Sequence, residues 1–295
     1  IVLSGGFGSR LWPLSRKNFP KPLLPLVNGK SLLELTVERH QPIVDQEIFV
    51  TNEDQFFNLK ESITPHNLKN SQFIVESCSR NTAPAISLAV NSINVDDAVF
   101  IVTPSDHLIS PKTDYQTFLK QAIEVAIHQQ IIVLFGISPT SPSTNYGYIE
   151  IGDVNDEFST IQSFHEKPDQ VTANNYVKNK SFFWNSGIFC FTKQTFLKTM
   201  DTHCPKLLQQ TQTALSSTED IGLNAIKIPF EFMSKIEKIS IDYALIEKTD
   251  QLGCIPTDFS WHDLGNFNEL KHVFERNNEN FTQSNYHVIS SNSSN

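Results

Sequence analysis

The sequence predicts an α/β protein: a mixed, mostly parallel β-sheet flanked by helices on both faces. Two observations carry that prediction. Short β-branched or aromatic runs alternate with amphipathic segments through the first half of the chain. Polar or turn residues close each run, so successive strands are joined by helical crossovers, as a parallel sheet requires. The length sets the scale: 295 residues, 39% hydrophobic and 19% charged, can bury a sizeable core.

Taken in order, the strands are Ile1–Ser4, Glu47–Thr51, Gln72–Glu76, Ala98–Thr103 and Ile131–Gly136. Between them the pattern predicts helices over Leu32–His40, Asp54–Ile63, Ala83–Ile93 and Tyr115–His128. The last repeats apolar residues at i, i+3 and i+4 through Phe118, Leu119, Ala122, Ile123, Ala126 and Ile127. The second half is less regular. Tyr146–Ile151 and Thr160–Glu166 read as strands, and Phe182–Phe191 as an aromatic-rich stretch interrupted by Asn185-Ser186-Gly187, a candidate bulge. Helices follow at Gln194–Met200 and Pro205–Leu215. No internal repeat is evident. After Arg276 the composition turns to Asn and Ser, so the expected organisation is one domain over 1–275 and a linker, or the start of a further segment, over 276–295.

Charge narrows the function. The net charge is −9, yet the first 30 residues carry Arg10, Arg16, Lys17, Lys21 and Lys30 and no acidic residue, leaving −14 on the remainder. That distribution suits one local anion site and not a nucleic-acid-binding surface. No apolar run reaches the ~18 residues of a membrane span. The opening Ile1-Val2-Leu3 lacks the basic and long apolar regions of a secretory signal, and the missing initial Met suggests trimming. Four cysteines, none in a C-x-x-C pair, fit neither a zinc site nor a disulfide framework. A reducing, cytoplasmic location is therefore expected.

In open α/β sheets, ligands lie beyond the carboxyl ends of the strands, which directs attention to the loops after Ser4, Glu76 and Thr103. The first is Ser4-Gly5-Gly6-Phe7-Gly8-Ser9-Arg10-Leu11-Trp12-Pro13-Leu14, with Pro20-Lys21-Pro22 close behind. Three glycines in four residues let a phosphate approach the backbone, and consecutive N–H groups form an anion nest. Arg10 offers a fork of donors and Lys21 a point charge. A dinucleotide fingerprint fails because position 11 is Leu11. A P-loop ending at Gly29-Lys30-Ser31 fails because position 24 is Leu24.

This signature, G-G-x-G-[ST]-R-L-x-P-L followed by P-K-P, resembles that of the sugar-1-phosphate nucleotidyltransferases, and with Trp12 and Leu14-Ser15-Arg16 it is similar to the bacterial mannose-1-phosphate guanylyltransferase branch. The resemblance continues in order through Arg80-Asn81-Thr82-Ala83-Pro84-Ala85, Pro104-Ser105-Asp106-His107, Tyr146-Gly147-Tyr148-Ile149, Glu166-Lys167-Pro168, Trp184-Asn185-Ser186-Gly187, Ile241-Asp242-Tyr243 and Trp261-His262-Asp263-Leu264-Gly265. It departs at Ser4, where many relatives carry Ala, and at Pro22, where they carry Gln. It implies a Rossmann-like fold and transfer of a nucleotidyl group from GTP to mannose 1-phosphate.

By the same resemblance, Arg10 and Lys21 are the catalytic cations on the triphosphate. The nucleotide meets Ser4, Gly5, Gly6, Gly8, Ser9, Asn81, Thr82, Pro104 and Asp106. The sugar phosphate meets Gly147, Glu166, Lys167, Asn185 and Asp242, with Gly147 letting the sugar ring approach the backbone. Asp106 and Asp263 hold Mg²⁺, whose preference for hard oxygen ligands suits them. Thr82 is a candidate N-cap, with Pro84 in the first helical turn. His107, His165 and His262 read as packing or supporting groups, since an ionised phosphate nucleophile needs no general base. A homodimer is expected by analogy. So is continuation into a β-helical segment and an isomerase domain. Two alternatives stay open: the same chemistry with UTP or dTTP and glucose 1-phosphate, and a non-catalytic nucleotide-sugar sensor.

Overall fold

The computed structural model describes residues 1–6, 8–66, 68, 70–154 and 157–276. Phe7 of the glycine-rich motif and the segment 277–295, which holds nearly all of the expected linker, lie outside the described residues. In chain order the elements are β1 (Val2–Leu3), α1 (Leu32–His40), β2 (Glu47–Asn52), α2 (Phe56–Ile63), β3 (Ser71–Glu76), α3 (Thr82–Asn91), β4 (Val99–Pro104) and β5 (Leu108–Ser110). They continue with α4 (Lys112–Gln129), β6 (Ile132–Ile137), β7 (Tyr148–Val154), β8 (Ser159–His165), α5 (Gln170–Lys178), β9 (Phe182–Thr192), α6 (Lys193–His203) and α7 (Pro205–Leu215). Last come β10 (Glu219–Asp220), β11 (Ala225–Ile228), α8 (Phe230–Met233), a π-helical turn at Asp242–Ile246, β12 (Leu252–Thr257), β13 (Ser260–His262) and α9 (Phe267–Arg276).

Eleven strands form one sheet in the order β10-β11-β3-β2-β1-β4-β9-β6-β12-β8-β7. From β11 to β4 every pairing is parallel. The eleven-residue β9 then enters antiparallel to both β4 and β6. Beyond it only β6 and β12 pair in parallel. The sheet is thus mixed, its parallel character concentrated around β1.

Alternation of side chains decides which residues meet which helices. Phe49 of β2 and Phe73 and Val75 of β3 share a core with Leu33 and Val37 of α1 and Phe56 and Leu59 of α2. Their neighbours Ile48, Val50 and Ile74 turn the other way, into a core with Ile86 and Leu88 of α3 and Phe196 and Met200 of α6. Burial on both faces explains why these strands read as continuous apolar runs. In α4 the buried stripe is Tyr115, Leu119, Ala122, Val125 and Ala126, whereas Ile127 of the expected stripe is exposed. Ser31 caps α1: its hydroxyl accepts from Glu34 N at 3.2 Å, and Glu34 Oε2 accepts from Ser31 N at 2.7 Å. Gly29-Lys30-Ser31 is therefore a helix start and not part of a phosphate loop.

A two-stranded ribbon, β5 with β13, stands apart from the main sheet. Its register pairs Leu108 with His262. Leu108 directly follows Asp106-His107, and His262 directly precedes Asp263. The ribbon therefore brings together two loops more than 150 residues apart in sequence. All four cysteines are free thiols. Among the described residues no helix is long and apolar enough to cross a membrane.

Candidate active site

The loop after β1 is held from behind. Ser4 is buried; its N–H donates to Val50 O at 2.8 Å, and its carbonyl accepts from Thr51 Oγ1. Asn52 Nδ2 donates to Gly5 O at 3.0 Å and Gln55 Nε2 to Gly6 O at 3.3 Å. With the carbonyls tied down, the N–H groups of Gly5, Gly6 and Gly8 have no acceptor among the described residues, the condition for an anion nest. A Cβ on Gly6 would meet open space. Gly8 has φ +62°, and a Cβ there would come within 2.5 Å of Lys21 Cβ. Only glycine fits, and the glycine loop and the Pro20-Lys21-Pro22 turn lock together at that point.

Lys21 is 3% exposed. Its Nζ donates to Asp106 Oδ2 at 2.8 Å, to Asp263 Oδ1 at 3.1 Å and to the backbone carbonyl of Asp263. Burial works to lower the lysine pKa, but the two carboxylates outweigh it and hold the ammonium above its ordinary value. Burial pushes Asp263 up, and the charges of Lys21, His107 and Arg10 pull it below the usual carboxylate range. Arg10 lies farther out, its side chain 62% exposed and its guanidinium 4.0 Å from Asp263 Oδ2. Trp261 Nε1 donates to His107 Nδ1 at 3.2 Å, and His107 Nε2 lies 3.9 Å from Asp263 Oδ1. One ligand atom from each of Asp106, His107 and Asp263 falls within 4.8 Å of the others. Two carboxylates at the carboxyl edge of the sheet are hard oxygen donors of the kind Mg²⁺ takes, so the residues fit that ion.

Across the same cleft stands the second set of residues. Asn185 Nδ2 donates to Asp242 Oδ1 at 3.1 Å, and Asn185 Oδ1 accepts from Gly187 N at 3.1 Å. Lys167 has φ +47°, and its Nζ pairs with Glu166 Oε1. Asp242 is pushed up to about 6, first by burial and then by the charge of Glu166. Register between β6 and β9 slips at Leu134/Gly136, with Phe189 opposite Leu134 and Asn185 opposite Gly136. The expected bulge at Asn185-Ser186-Gly187 is present, Gly187 taking φ +71°. One cleft is lined by Thr82, Pro104, Gly147, Glu166, Asn185, Asp242 and Asp263.

Seven of the seventeen site residues singled out in the sequence line this cleft; Lys21 ties Asp106 to Asp263, Arg10 lies 4.0 Å from Asp263, and Lys167 pairs with Glu166. Four details differ from expectation. Asn81, not Thr82, caps α3: its Oδ1 accepts from Thr82 N at 2.9 Å, while Thr82 Oγ1 accepts from Ile241 N at 2.8 Å. Lys21, expected with Arg10 on the triphosphate, has its ammonium between the two carboxylates expected to hold the metal. The space at Gly147 is filled by Glu166 Oε2 and Phe164 Cζ, 2.8 and 2.9 Å from where a Cβ would sit. His107 packs on Trp261 as expected but also joins the Asp106–Asp263 cluster.

Sequence reading passed over Glu76, at the carboxyl end of β3. It is 4% exposed, its Oε1 has no partner among the described residues, and its Oε2 would lie 3.7 Å from a Cβ on Gly5. Burial raises its pKa to about 8. Its position at the end of a parallel strand was the one signal available.

A glycine loop with unpaired N–H groups on the first strand, beside carboxylates that could hold a divalent ion, is an α/β arrangement suited to phosphate. The chain belongs to the nucleotidyl transferase family, whose sequence model matches residues 1–280. It is 36% identical over 282 residues to the xanthan biosynthesis protein XanB of Xanthomonas campestris, covering 95% of this chain and 60% of that protein. A mannose-1-phosphate guanylyltransferase of Escherichia coli is 34% identical, with 92% of this chain and 59% of that protein covered. The chain thus spans about 60% of the length of the curated relatives it matches. A crystal structure from Thermus thermophilus, described as a mannose-1-phosphate geranyltransferase, superposes with a TM-score of 0.79 at 32% identity, covering 92% of this chain and 78% of that one. A UDP-glucose pyrophosphorylase complexed with UDP-glucose, 16% identical with a TM-score of 0.60 over 94% of this chain and 97% of that one, shares the fold.

Proposed function

We propose that residues 1–275 transfer the guanylyl group of GTP to mannose 1-phosphate, giving GDP-mannose and pyrophosphate. One observation carries the reading: the cleft bordered by Thr82 and Pro104, by Asp263, and by Gly147, Glu166, Asn185 and Asp242. A cleft so lined sets the expected sugar-binding residues beside Asp263, which Lys21 ties to Asp106 under the glycine loop. The names of similar proteins supply the choice of mannose and guanine.

In the proposed reaction a phosphate oxygen of mannose 1-phosphate attacks the α-phosphorus of GTP in line, and the bond to the β-phosphate oxygen breaks. Both reactants are anions, so the work is neutralisation and alignment. The N–H groups of Gly5, Gly6 and Gly8, which have no acceptor among the described residues, hold phosphate oxygens, with Ser9 at the start of the following turn. Arg10, exposed on the same turn, reaches the charge that builds on pyrophosphate. Mg²⁺, held by Asp106 and Asp263, would supply further positive charge at the transferring phosphate. Lys167 takes the sugar's phosphate, and Glu166, Asn185 and Asp242 its hydroxyls.

Glu76 supports the choice of guanine. Guanine's N1–H and exocyclic amine are adjacent donors, and a carboxylate has two acceptor oxygens for them. With a pKa of about 8 in the free protein, Glu76 would release a proton as guanine binds. Changing Glu76→Gln is expected to erode the preference for GTP over ATP about 10–100-fold in kcat/KM, because a binding site built for a donor pair loses its acceptor. Pyrophosphate release measured over four nucleotides and several sugar phosphates tests the whole reading. A maximum at GTP with mannose 1-phosphate is expected. A maximum elsewhere, or binding without turnover in Mg²⁺, contradicts it.

A further inference from the structure

The position of Lys21 has a consequence for the order in which the cleft fills. We propose that its ammonium is a built-in stand-in for the divalent ion: it holds Asp106 and Asp263 together in the free protein, and triphosphate binding draws it away to admit the metal. This rests on the nucleotidyl-transfer reading and adds a loading sequence to it.

An ammonium has three protons, and those of Lys21 have three acceptors: Asp106 Oδ2, Asp263 Oδ1 and the Asp263 carbonyl. None remains for a phosphate. The carboxylate oxygens Lys21 engages belong to the pair that, with His107, could hold a metal ion. A divalent ion and an ammonium cannot both occupy that space, since their charges repel across a few ångströms in a partly buried setting. Lys21 has somewhere else to go. Its Cβ packs under Gly8, so the phosphate-binding N–H groups lie beside its stem. Four rotatable bonds let the head swing while the backbone stays fixed in the 3₁₀ turn Lys21–Leu23. Arg10, 4.0 Å away and largely exposed, does not hold the carboxylates in this way.

Metal affinity should therefore be weak in the protein alone. Removing the lysine charge should strengthen it. Free Mn²⁺, followed by electron paramagnetic resonance without nucleotide, tests this directly. Lys21→Met is expected to bind Mn²⁺ about 10-fold or more tightly than wild type, within the ~5–150-fold range of ordinary coupling between ligands. Asp263→Asn added to Lys21→Met should abolish the gain. Equal or weaker Mn²⁺ binding by Lys21→Met overturns the proposal.

If that variant does not fold, wild-type protein with ¹⁵N-labelled lysine serves instead. The Lys21 ammonium resonance should shift when Mg²⁺ and a non-hydrolysable GTP analogue are added together, and stay in place with guanosine. No shift with the analogue overturns the proposal. Pyrophosphate release by wild type is read separately, so the loading sequence can fail while the transferase reading stands.

Discussion

The two sides of the cleft are built on opposite principles. On the glycine-loop side, Lys21 is 3% exposed and sits among three oxygens supplied by distant parts of the chain. On the far side, the Lys167 side chain is 60% exposed and, among the described residues, pairs only with its sequence neighbour Glu166. The first is a preorganised ion cluster, expensive to disturb. The second is an exposed lysine over a mostly buried acidic pair, Glu166 and Asp242, that a substrate must complete. Loss of the Lys21 charge should impair both fold and chemistry, and loss of the Lys167 charge should impair substrate binding alone.

The largest effect is expected at Lys21. Lys21→Ala should lower turnover by ~10²–10³, the typical cost of removing one preorganised charge contact. It should also lower the melting temperature in metal-free buffer, because Asp106 and Asp263 are left facing each other. Steady-state kinetics with a thermal melt checks both, and unchanged turnover would break the contrast. Arg10→Ala should cost turnover near the lower end of ~10²–10³ with an unaltered melt, since its side chain is exposed and its distance from Asp263 is long.

Lys167→Ala should raise KM for mannose 1-phosphate about 10–100-fold, from the ~1.5–3 kcal/mol of a charge-assisted hydrogen bond. Its KM for GTP and its melt should stay at wild-type values. A fall in stability there would erase the distinction between the two sides.

The smallest effect is a pH dependence. Burial and Glu166 raise Asp242 to about 6 from 3.8. Below 3.8 it is protonated in both folded and unfolded chains, and its contribution to stability is fully present. The contribution declines between 3.8 and 6, where only the unfolded chain ionises, and is gone above 6. Binding runs the other way, since a carboxylate is needed to accept from sugar hydroxyls. KM for the sugar phosphate should rise as pH falls from about 7 to about 5, through the range in which Asp242 takes up its proton. Asp242→Asn should flatten that rise.

The same contrast separates what could be read in the sequence from what could not. Strands β1 to β4 and the helices between them were legible because both sheet faces are buried, so each strand is a continuous apolar run next to an amphipathic helix. The glycine loop was legible because phosphate chemistry dictates its residue types. The β5–β13 ribbon was not. Its strands have three residues each, and they pair across a separation set by the whole fold. Without it, Asp106 and Asp263 could be joined only through resemblance to a family. Lys21 as a buried bridge was equally hidden, because an unmatched lysine reads as exposed and its partners lie 85 and 242 positions away. Glu76 closes its strand as any polar residue might, and only its burial marks it out.

The most direct test of the central claim is phosphorus NMR of the purified protein with GTP, mannose 1-phosphate and Mg²⁺, run beside Asp263→Asn. Growing signals of a sugar nucleotide diphosphate and free pyrophosphate are expected in wild type, and neither in the variant. Sugar nucleotide formed at equal rates by both, or by neither, would contradict it.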